Sequence, residues 1–376
     1  MEYESALARV IDDVVEPGAA AVDRDGTYPR AQLEALGEAG ILGLASSPDV
    51  GGGGADLAAT ASVVEELARH CGSTAMVVMM HYSATAVLEA HGPQEIRAAI
   101  ATGRHVTTLA FSEAGSRSHF WAPLGTATQH DGTVRLDAQK SWVTAAGEAD
   151  SYVWSSRPIA ATGPMTLWLI PSDAPGLSVP APFDGLGLRG NASSPVTAEG
   201  VEVPASAMLG ADGAGLDIAL TVVLPWFLVL NAAASTGLMQ AVTAEATAHL
   251  THTQLVHLGQ TLAQQPVGRA RLARMRVETD QAAALLSDAL AAIAAGREDA
   301  QLRVLEVKAA AGEAAIDVTD LAMQVCGGAA FRKELGVERR FRDARAARVM
   351  APTTDALNDF IGRALCGLPL LEEAPA

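Results

Sequence analysis

Three histidines and a glutamate in the second half of the chain are the first candidates for chemistry. Glu245 lies one helical turn before His249, and His252 and His257 follow closely. A metal site takes nitrogen, sulfur or oxygen ligands from such side chains. Histidines on a solvated helix face are the commoner explanation of this spacing, so the sequence predicts no metal site.

The cysteines provide no redox or metal-binding motif. Cys71, Cys326 and Cys366 are odd in number and lie far apart. This spacing gives neither a disulfide framework nor a Cys-x-x-Cys pair. We expect three small buried hydrophobic side chains in a reducing compartment.

Charge and composition limit the classes of partner. The 376 residues carry a formal net charge of −17 with a pI near 4.9, and the basic face that binds nucleic acid is not visible. The longest apolar run, residues 220–234, contains Pro225 and Asn231 and is too short for a convincing membrane span. We therefore expect neither a nucleic-acid nor a membrane partner. No basic segment followed by an apolar run, the pattern of a secretory signal, opens the sequence, so we expect a cytoplasmic protein.

The hydrophobic pattern changes twice along the chain. Residues 1–105 show helical periodicity, as in residues 58–70, where apolar side chains recur at three- and four-residue spacing. Residues 106–210 contain short alternating runs between Gly, Pro and Asp-Gly turns, and Asp131-Gly132 is a hairpin signal. Long Ala- and Leu-rich segments then return, which predict an antiparallel helical bundle over residues 211–376.

Several motifs, in order and at similar spacing, carry a resemblance to one family. Phe111-Ser-Glu-Ala-Gly-Ser-Arg-Ser118 is similar to a T-E-x-G-x-G-S segment, and Gln139-Lys-Ser-Trp-Val-Thr144 to a G-x-K-x-W-I-T strand. Gln324-Val-Cys-Gly-Gly328 and Arg342-Asp-Ala-Arg345 match Q-x-x-G-G and R-D-A-R signatures. Together they resemble the acyl-CoA dehydrogenase superfamily of flavoproteins over essentially the whole chain.

The resemblance implies an α+β fold of three domains and FAD as the cofactor. The expected domains are an N-terminal α-helical domain (1–105), a middle β-barrel domain (106–210) and a C-terminal α-helical bundle (211–376).

The resemblance also assigns FAD contacts within the subunit. It places Trp142 and Thr144 beside the isoalloxazine, Ser112 at its pyrimidine edge, Ser118 at the pyrophosphate and Thr353 against the cofactor. A flavin needs hydrogen bonds to its ring edge and a flat apolar wall against its face. Considered alone, Trp142 would more often be a core aromatic on a strand.

A second group of contacts implies a shared cofactor site. In the family, residues matching Gln324, Gly327 and Gly328 hold the FAD of a neighbouring subunit, and paired glycines let the backbone approach a dinucleotide closely. The resemblance therefore implies a homodimer or homotetramer. The Gly-Gly pair is also typical of a helix C-cap.

The sequence departs from the family where the catalytic base is expected. Removing a proton next to a thioester carbonyl needs a positioned carboxylate, usually the Glu of an E-G-T-S segment. Ala351 stands at that position, and Phe227 stands at the alternative position on the first long helix of the last domain. Leu228 replaces an Arg that helps to bind CoA, and the R-K-x-F-G segment keeps only Gly259.

Other polar groups are weaker candidates. Asp355 is the carboxylate nearest to Ala351, although a helix N-terminus is its more ordinary role. His81 falls on a helix that lines the substrate pocket in the family, where packing or hydrogen bonding is favoured over catalysis. Arg117 and His119 could contact a phosphate or a substrate anion, or only cover the surface.

Three functions remain open from the sequence. The first is a flavin oxidoreductase with non-standard chemistry, monooxygenation above all, in a dry pocket lined by Ala351, Phe227 and Leu228. The second is an α,β-dehydrogenase of acyl-CoA or acyl-carrier thioesters with a relocated base. The third is a catalytically silent flavin-binding subunit. The substrate is then a small molecule or an acyl thioester, and an electron-transfer or flavin reductase protein is a further expected partner.

Overall fold

The computed structural model describes residues 2–117 and 119–371, which form two compact units. The first unit takes in the chain up to Val64 together with Ser73–Phe227. The second takes in Glu65–Gly72 and the chain from Leu228 onward. The boundary predicted at residue 105 lies inside the first unit, so the N-terminal helices and the β part belong to one compact body.

The helices have the following bounds in chain order: α1 (Glu2–Val10), α2 (Glu16–Asp25), α3 (Arg30–Glu38), α4 (Leu57–His70), α5 (Gly72–His91), α6 (Gln94–Ala101), α7 (Gly215–Ile218), α8 (Leu224–His252), α9 (Pro266–Ala294), α10 (Ala300–Cys326), α11 (Val337–Val349) and α12 (Thr354–Leu365). Single π-helical turns join α1 to α2 and α7 to α8. Few helix breakers interrupt α9 and α10, as their sequences predicted.

The strands have the following bounds: β1 (Thr107–Ala110), β2 (Thr126–His130), β3 (Thr133–Val143), β4 (Ser151–Ser156), β5 (Thr166–Pro171), β6 (Leu177–Ser178), β7 (Ser194–Pro204), β8 (Met208–Leu209), β9 (Gln254–Leu255) and β10 (Gln260–Thr261). Among the described residues, β1-β4-β5-β8 and β2-β3-β7-β6 each form a four-stranded sheet, and β9 pairs with β10. Side chains from both four-stranded sheets share one core around Trp154 and Trp168.

The predicted hairpin is confirmed. His130 pairs with Thr133, which leaves Asp131-Gly132 as a two-residue connection between β2 and β3. Both connecting residues have positive φ, 47° and 80°, as a type I′ turn requires. The expected middle β domain is therefore present as two sheets around a common core.

In the second unit, α10 is the central helix and packs against α9, α11 and α12. Its buried face is rich in alanine, valine and leucine. This arrangement is the helical bundle that the sequence predicted, and the α+β fold class is confirmed.

The apolar run at residues 220–234 is part of a longer continuous helical segment. Gly215–His252 is long and apolar enough to cross a membrane, and 67% of its most apolar window is buried inside the protein. Burial of this kind is typical of a core helix, where apolar side chains pack against protein.

The expectation for the cysteines is wrong at one position. Cys71 and Cys326 are buried, but Cys366 is exposed just after α12. Cys366 is the C-cap residue of α12, and up to residue 371 the structure describes no further helix or strand that could cover this side chain.

Candidate functional site

Trp142 is turned out of the sheet by an irregularity in β3. The register of β3 on β7 shifts between Lys140 and Val143, and Trp142 within that step has φ of +57°. Its side chain is 73% exposed. Positive φ is unfavourable for a bulky residue, and bulges of this kind often redirect a side chain at a functional site. The ring is presented outward as a flat apolar surface.

A buried ion pair fixes the strand that carries Trp142. Lys140 Nζ lies 2.6 Å from a Glu113 carboxylate oxygen, and both side chains are almost fully buried. The same ammonium donates to the backbone oxygen and the hydroxyl of Ser155, at 2.7 and 2.9 Å. Burial lowers the pKa of Lys140 to about 8, although the charge of Glu113 opposes that shift.

Glu113 extends this anchor to the loop that follows it. Its carboxylate accepts hydrogen bonds from the backbone N–H groups of Leu124 and Gly125, at 2.6 and 3.1 Å. One residue away, the carbonyl of Ser112 accepts from the N–H of Ser141 at 2.9 Å. Ser112 and Trp142 are therefore carried by two segments that the ion pair ties together.

Thr144 is buried and hydrogen-bonded through its side chain. Its hydroxyl lies 3.1 Å from the Ser193 hydroxyl, and the Ser193 N–H donates to the Asn191 side chain at 3.1 Å. The sequence did not single out Ser193 or Asn191, because nothing in their local spacing indicates a contact with residues nearly fifty positions away.

The loop after Glu113 is only partly described. Ser118 lies outside the described residues, and Ser112 is half-buried. Arg117 is exposed with φ of +52°, and its N–H donates to the Glu113 carbonyl at 2.9 Å. His119 is exposed, and its ring packs in a T-shaped arrangement against that of Trp121, with 4.9 Å between centroids.

The end of α10 exposes open backbone. Gln324, Gly327 and Gly328 are exposed, and Gly327 has φ of 54° and ψ of −133°. Within the described chain, a Cβ added to either glycine would meet no atom within 4 Å. Gly327 ends the helix, as a C-cap does, and also leaves room for another molecule to approach. Phe331, 86% exposed, follows this turn.

A buried lysine holds the segment where the resemblance leads us to expect the family's base. Lys308, 1% exposed on α10, donates to the carbonyl oxygens of Ala347, Met350 and Pro352 at 2.9, 3.0 and 2.8 Å. These three bonds match the three protons of an ammonium group. They hold the connection from α11 to α12, which includes Ala351.

The residues beside Ala351 have structural roles of their own. Thr353 is the N-cap of α12, since its hydroxyl accepts from the Ala356 N–H at 3.3 Å. Asp355 is exposed in the first turn of that helix and interacts electrostatically with Arg348. Arg348 is itself ion-paired with Glu313. The Asp355 carboxylate thus has a position and a neighbour typical of a helix start.

Two residues of α8 stand at the positions that the resemblance gives to an alternative base and to a CoA-binding arginine, and both are apolar and buried. Phe227 is 7% exposed and Leu228 is fully buried. Neither can accept a proton, and Leu228 offers no charge to a phosphate.

His81 uses both ring nitrogens in bonds to the backbone. Nε2 lies 3.1 Å from the Leu42 carbonyl, and Nδ1 accepts from the Thr107 N–H at 3.2 Å. Burial lowers the pKa of His81 to about 4. The neutral ring links α5 to the start of β1 and has no free nitrogen for proton transfer.

Three of the four residues first weighed as metal ligands are engaged elsewhere. Glu245 is ion-paired with the Arg340 guanidinium at 2.6 Å. His252 Nδ1 lies 2.8 Å from the Ala248 carbonyl, and His249 Nδ1 lies 3.3 Å from the Thr253 hydroxyl. Over residues 2–117 and 119–371, no three His, Cys, Asp or Glu side chains are grouped as metal ligands.

Family comparison covers nearly the whole chain. Residues 2–103, 108–201 and 213–366 match the N-terminal, middle and C-terminal domains of acyl-CoA dehydrogenase. The chain is 28% identical to the bovine mitochondrial short-chain specific acyl-CoA dehydrogenase, covering 90% of this chain and 83% of that protein. It is 27% identical to the probable acyl-CoA dehydrogenase YngJ of Bacillus subtilis, with 93% of each chain covered.

Solved structures agree on the fold. Butyryl-CoA dehydrogenase from Megasphaera elsdenii superposes with a TM-score of 0.90 at 23% identity, over 97% of this chain and 98% of that one. The prolyl acyl carrier protein oxidase AnaB gives a TM-score of 0.87 at 21% identity, over 96% and 98%. The chain therefore belongs to the acyl-CoA dehydrogenase family of FAD-dependent oxidoreductases.

Proposed function

We propose that this protein is an FAD-dependent oxidoreductase that works without the family's carboxylate base, with monooxygenation as the leading reaction. One observation carries the proposal. Ala351, in the segment that Lys308 holds, stands at the position that the resemblance assigns to the family's glutamate, and the carboxylate nearest to it in the sequence, Asp355, is exposed and interacts with Arg348. Proton abstraction from a weak carbon acid needs a positioned base, and this segment supplies none.

The residues present suit FAD. The exposed ring of Trp142 offers a flat apolar wall, and the open backbone at Gly327 and Gly328 accommodates close approach of a dinucleotide. By family position, Ser112, Ser118, Trp142, Thr144 and Thr353 bind FAD within the subunit, and Gln324, Gly327 and Gly328 bind that of a neighbour. Bound FAD supplies a two-electron carrier that reacts with oxygen when reduced.

The chain's own contribution is to exclude water and orient the substrate. Ala351, Phe227 and Leu228 are the proposed substrate-pocket positions, and none is polar. Removing water protects reactive species and strengthens electrostatic interactions within a site. A small molecule or an acyl thioester is the proposed substrate, and Leu228 in place of arginine favours a carrier-bound acyl group over free CoA.

Assembly and electron supply belong to the same proposal. A homodimer or homotetramer completes the FAD site, and the protein works in the cytoplasm. An electron-transfer protein or a flavin reductase is the proposed redox partner.

The test is stopped-flow absorbance of photoreduced, FAD-loaded protein mixed with oxygenated buffer. A transient absorbance band, distinct from those of oxidised and reduced flavin, supports monooxygenation. Slow reoxidation without such a band counts against it. Ala351→Gln, which adds a polar group without a charge, should shorten the transient because water enters more easily.

An acyl-thioester dehydrogenase with a relocated base is the second candidate. The curated relatives named above are acyl-CoA dehydrogenases, and AnaB is an oxidase of a prolyl carrier protein. Flavin bleaching by acyl thioesters in the wild type, lost in Asp355→Asn, would establish this reaction and its base.

If neither oxygen nor thioesters elicit a reaction, a silent flavin-binding subunit is the remaining alternative. Ala351→Glu then tests whether the lost carboxylate alone accounts for the missing activity.

A further inference from the structure

Asn231 is a buried amide in an apolar stretch of α8. Its side chain is 2% exposed, and the residues flanking it are fully buried and apolar: Val229, Leu230, Ala232 and Ala233. Burying an amide among apolar side chains is unfavourable unless both of its polar ends are hydrogen-bonded. The residue therefore needs an explanation beyond packing.

One end of this amide has a partner and the other does not. Asn231 Nδ2 lies 3.6 Å from the Met350 sulfur. A thioether is a weak acceptor and has no proton to donate, so the N–H end of the amide must be the end that faces it. In the described part of the chain, Asn231 Oδ1 has no hydrogen-bond partner. The unused group is a hydrogen-bond acceptor.

The position of this acceptor connects it to the substrate. Met350 directly precedes Ala351, and its carbonyl is one of the three that Lys308 holds. Leu228, at the proposed substrate pocket, lies three residues before Asn231 on the same helix and so on a neighbouring face. The amide that carries the free oxygen thus contacts the segment proposed above as the reaction site.

We propose that Asn231 is a specificity-determining residue whose Oδ1 accepts a hydrogen bond from a hydroxyl or amino group on the acyl part of the substrate. This rests on the proposed function only in taking the segment around Ala351 as the reaction site. A site built to accept such a bond discriminates against an analogue that lacks the donor, because the buried acceptor is then left unpaired. The competing explanation is a buried water bonded to Oδ1, which gives no such discrimination.

The experiment measures the affinity of FAD-loaded protein for three N-acetylcysteamine thioesters, those of butyrate, 3-hydroxybutyrate and 3-aminobutyrate. Binding is followed by perturbation of the flavin absorbance. We expect the 3-hydroxybutyryl or the 3-aminobutyryl thioester to bind the wild type at least about tenfold more tightly than the butyryl thioester. Asn231→Leu, which keeps the volume and removes the acceptor, should abolish that preference while FAD content stays unchanged.

A matched control lies on the same helix. Thr236 is fully buried, and among the described residues its hydroxyl donates to the Ala232 carbonyl one turn earlier. Thr236→Val therefore removes a buried polar group of α8 five residues from Asn231 and should leave the preference intact. If Asn231→Leu does not fold, Met350→Leu removes the sulfur that orients the amide and should weaken the preference.

Three results overturn the assignment: equal affinities in the wild type, an unchanged preference in Asn231→Leu or Met350→Leu, or no binding of any of the three thioesters. The oxygen reaction of reduced protein is scored separately and needs no thioester. If the wild type shows no transient band with oxygen but prefers the 3-hydroxybutyryl or 3-aminobutyryl thioester through Asn231, monooxygenation is overturned and the role of Asn231 is supported.

Discussion

At the scale of single residues, Trp142 has two unfavourable features, an exposed aromatic ring and a positive φ, that packing within the subunit does not explain. Its ring is 73% exposed and its backbone has φ of +57°. We predict that Trp142→Ala changes the free energy of unfolding of the apoprotein by less than about 1 kcal/mol, because little packing is lost. The same change should weaken FAD binding about tenfold through loss of the aromatic wall. Denaturant unfolding and FAD titration measure the two effects.

Trp168 provides the contrast. It is fully buried in the β core, and its indole N–H donates to the Ser156 hydroxyl at 2.8 Å. Trp168→Ala should cost about 3–5 kcal/mol of stability, as expected for a large core aromatic. Comparable destabilisation by the two substitutions would mean that Trp142 is a structural residue.

Asp212 makes the stability of the first unit depend on pH. Its carboxylate accepts from the Thr166 hydroxyl and from the N–H groups of Ile159, Ala160 and Ala161 at 2.7–2.9 Å. Partial burial raises the pKa of Asp212, but these hydrogen bonds outweigh it and leave the pKa at about 2. Because this value lies below the ordinary 3.8, the carboxylate stabilises the folded state at higher pH.

We therefore predict that Asp212→Asn lowers the free energy of unfolding by about 1–2 kcal/mol at pH 7, after allowance for solvent around the half-buried carboxyl. The difference from the wild type should shrink as the pH falls from about 4 to about 2, where Asp212 becomes protonated in the folded state. Urea unfolding at a series of pH values measures it. A difference that persists unchanged at pH 2 would contradict the assigned linkage.

At the scale of elements, one lysine joins α10 to the end of α11 and the start of α12. Lys308 is one of three lysines in the sequence. Its ammonium bonds three backbone carbonyls, and no carboxylate of residues 2–117 or 119–371 pairs with it. We predict that Lys308→Met destabilises the protein by about 2–4 kcal/mol, because three carbonyls lose a charged donor. FAD affinity should also fall, since the freed segment carries Thr353. Denaturant unfolding and FAD titration test both.

Two variants separate this effect from loss of charge. Lys333 is exposed, so Lys333→Met should change stability by less than about 0.5 kcal/mol. Lys308→Arg keeps the charge and should recover part of the stability, although its planar fork cannot match three converging carbonyls. If Lys308→Met were as harmless as Lys333→Met, the segment would be held by other contacts.

Elements whose signals are local could be predicted from the sequence, and those that depend on distant partners could not. Asp131-Gly132 predicted the hairpin because two adjacent residues are enough to determine this turn type. The outward turn of Trp142 depends on a register shift against β7, some fifty residues further on. The motifs pointed to Trp142 and Thr144 only through resemblance, and no local pattern indicated that Lys308 holds the Ala351 segment.

At the scale of the whole molecule, the second unit exposes apolar side chains that a lone soluble subunit would be expected to cover. Val256 is 88% exposed and Leu258 52%, in the connection between β9 and β10, and Phe331 is 86% exposed just after the Gly-Gly turn. By the resemblance to the family, Gln324, Gly327 and Gly328, which precede Phe331, are proposed to hold the FAD of a neighbouring subunit. Exposed apolar groups of this kind often mark interaction sites, so self-association and FAD binding should be coupled.

We predict that Phe331→Glu shifts the protein toward monomer and lowers FAD affinity together, because burying an unpaired carboxylate in an interface is strongly unfavourable. Sedimentation equilibrium and FAD titration of the same samples measure the two effects. Thr251→Glu, which adds the same charge at an exposed position near the end of α8, should alter neither. If FAD-saturated wild-type protein stays monomeric at all concentrations, or Phe331→Glu dissociates it without any loss of FAD affinity, the cofactor site is complete within one subunit.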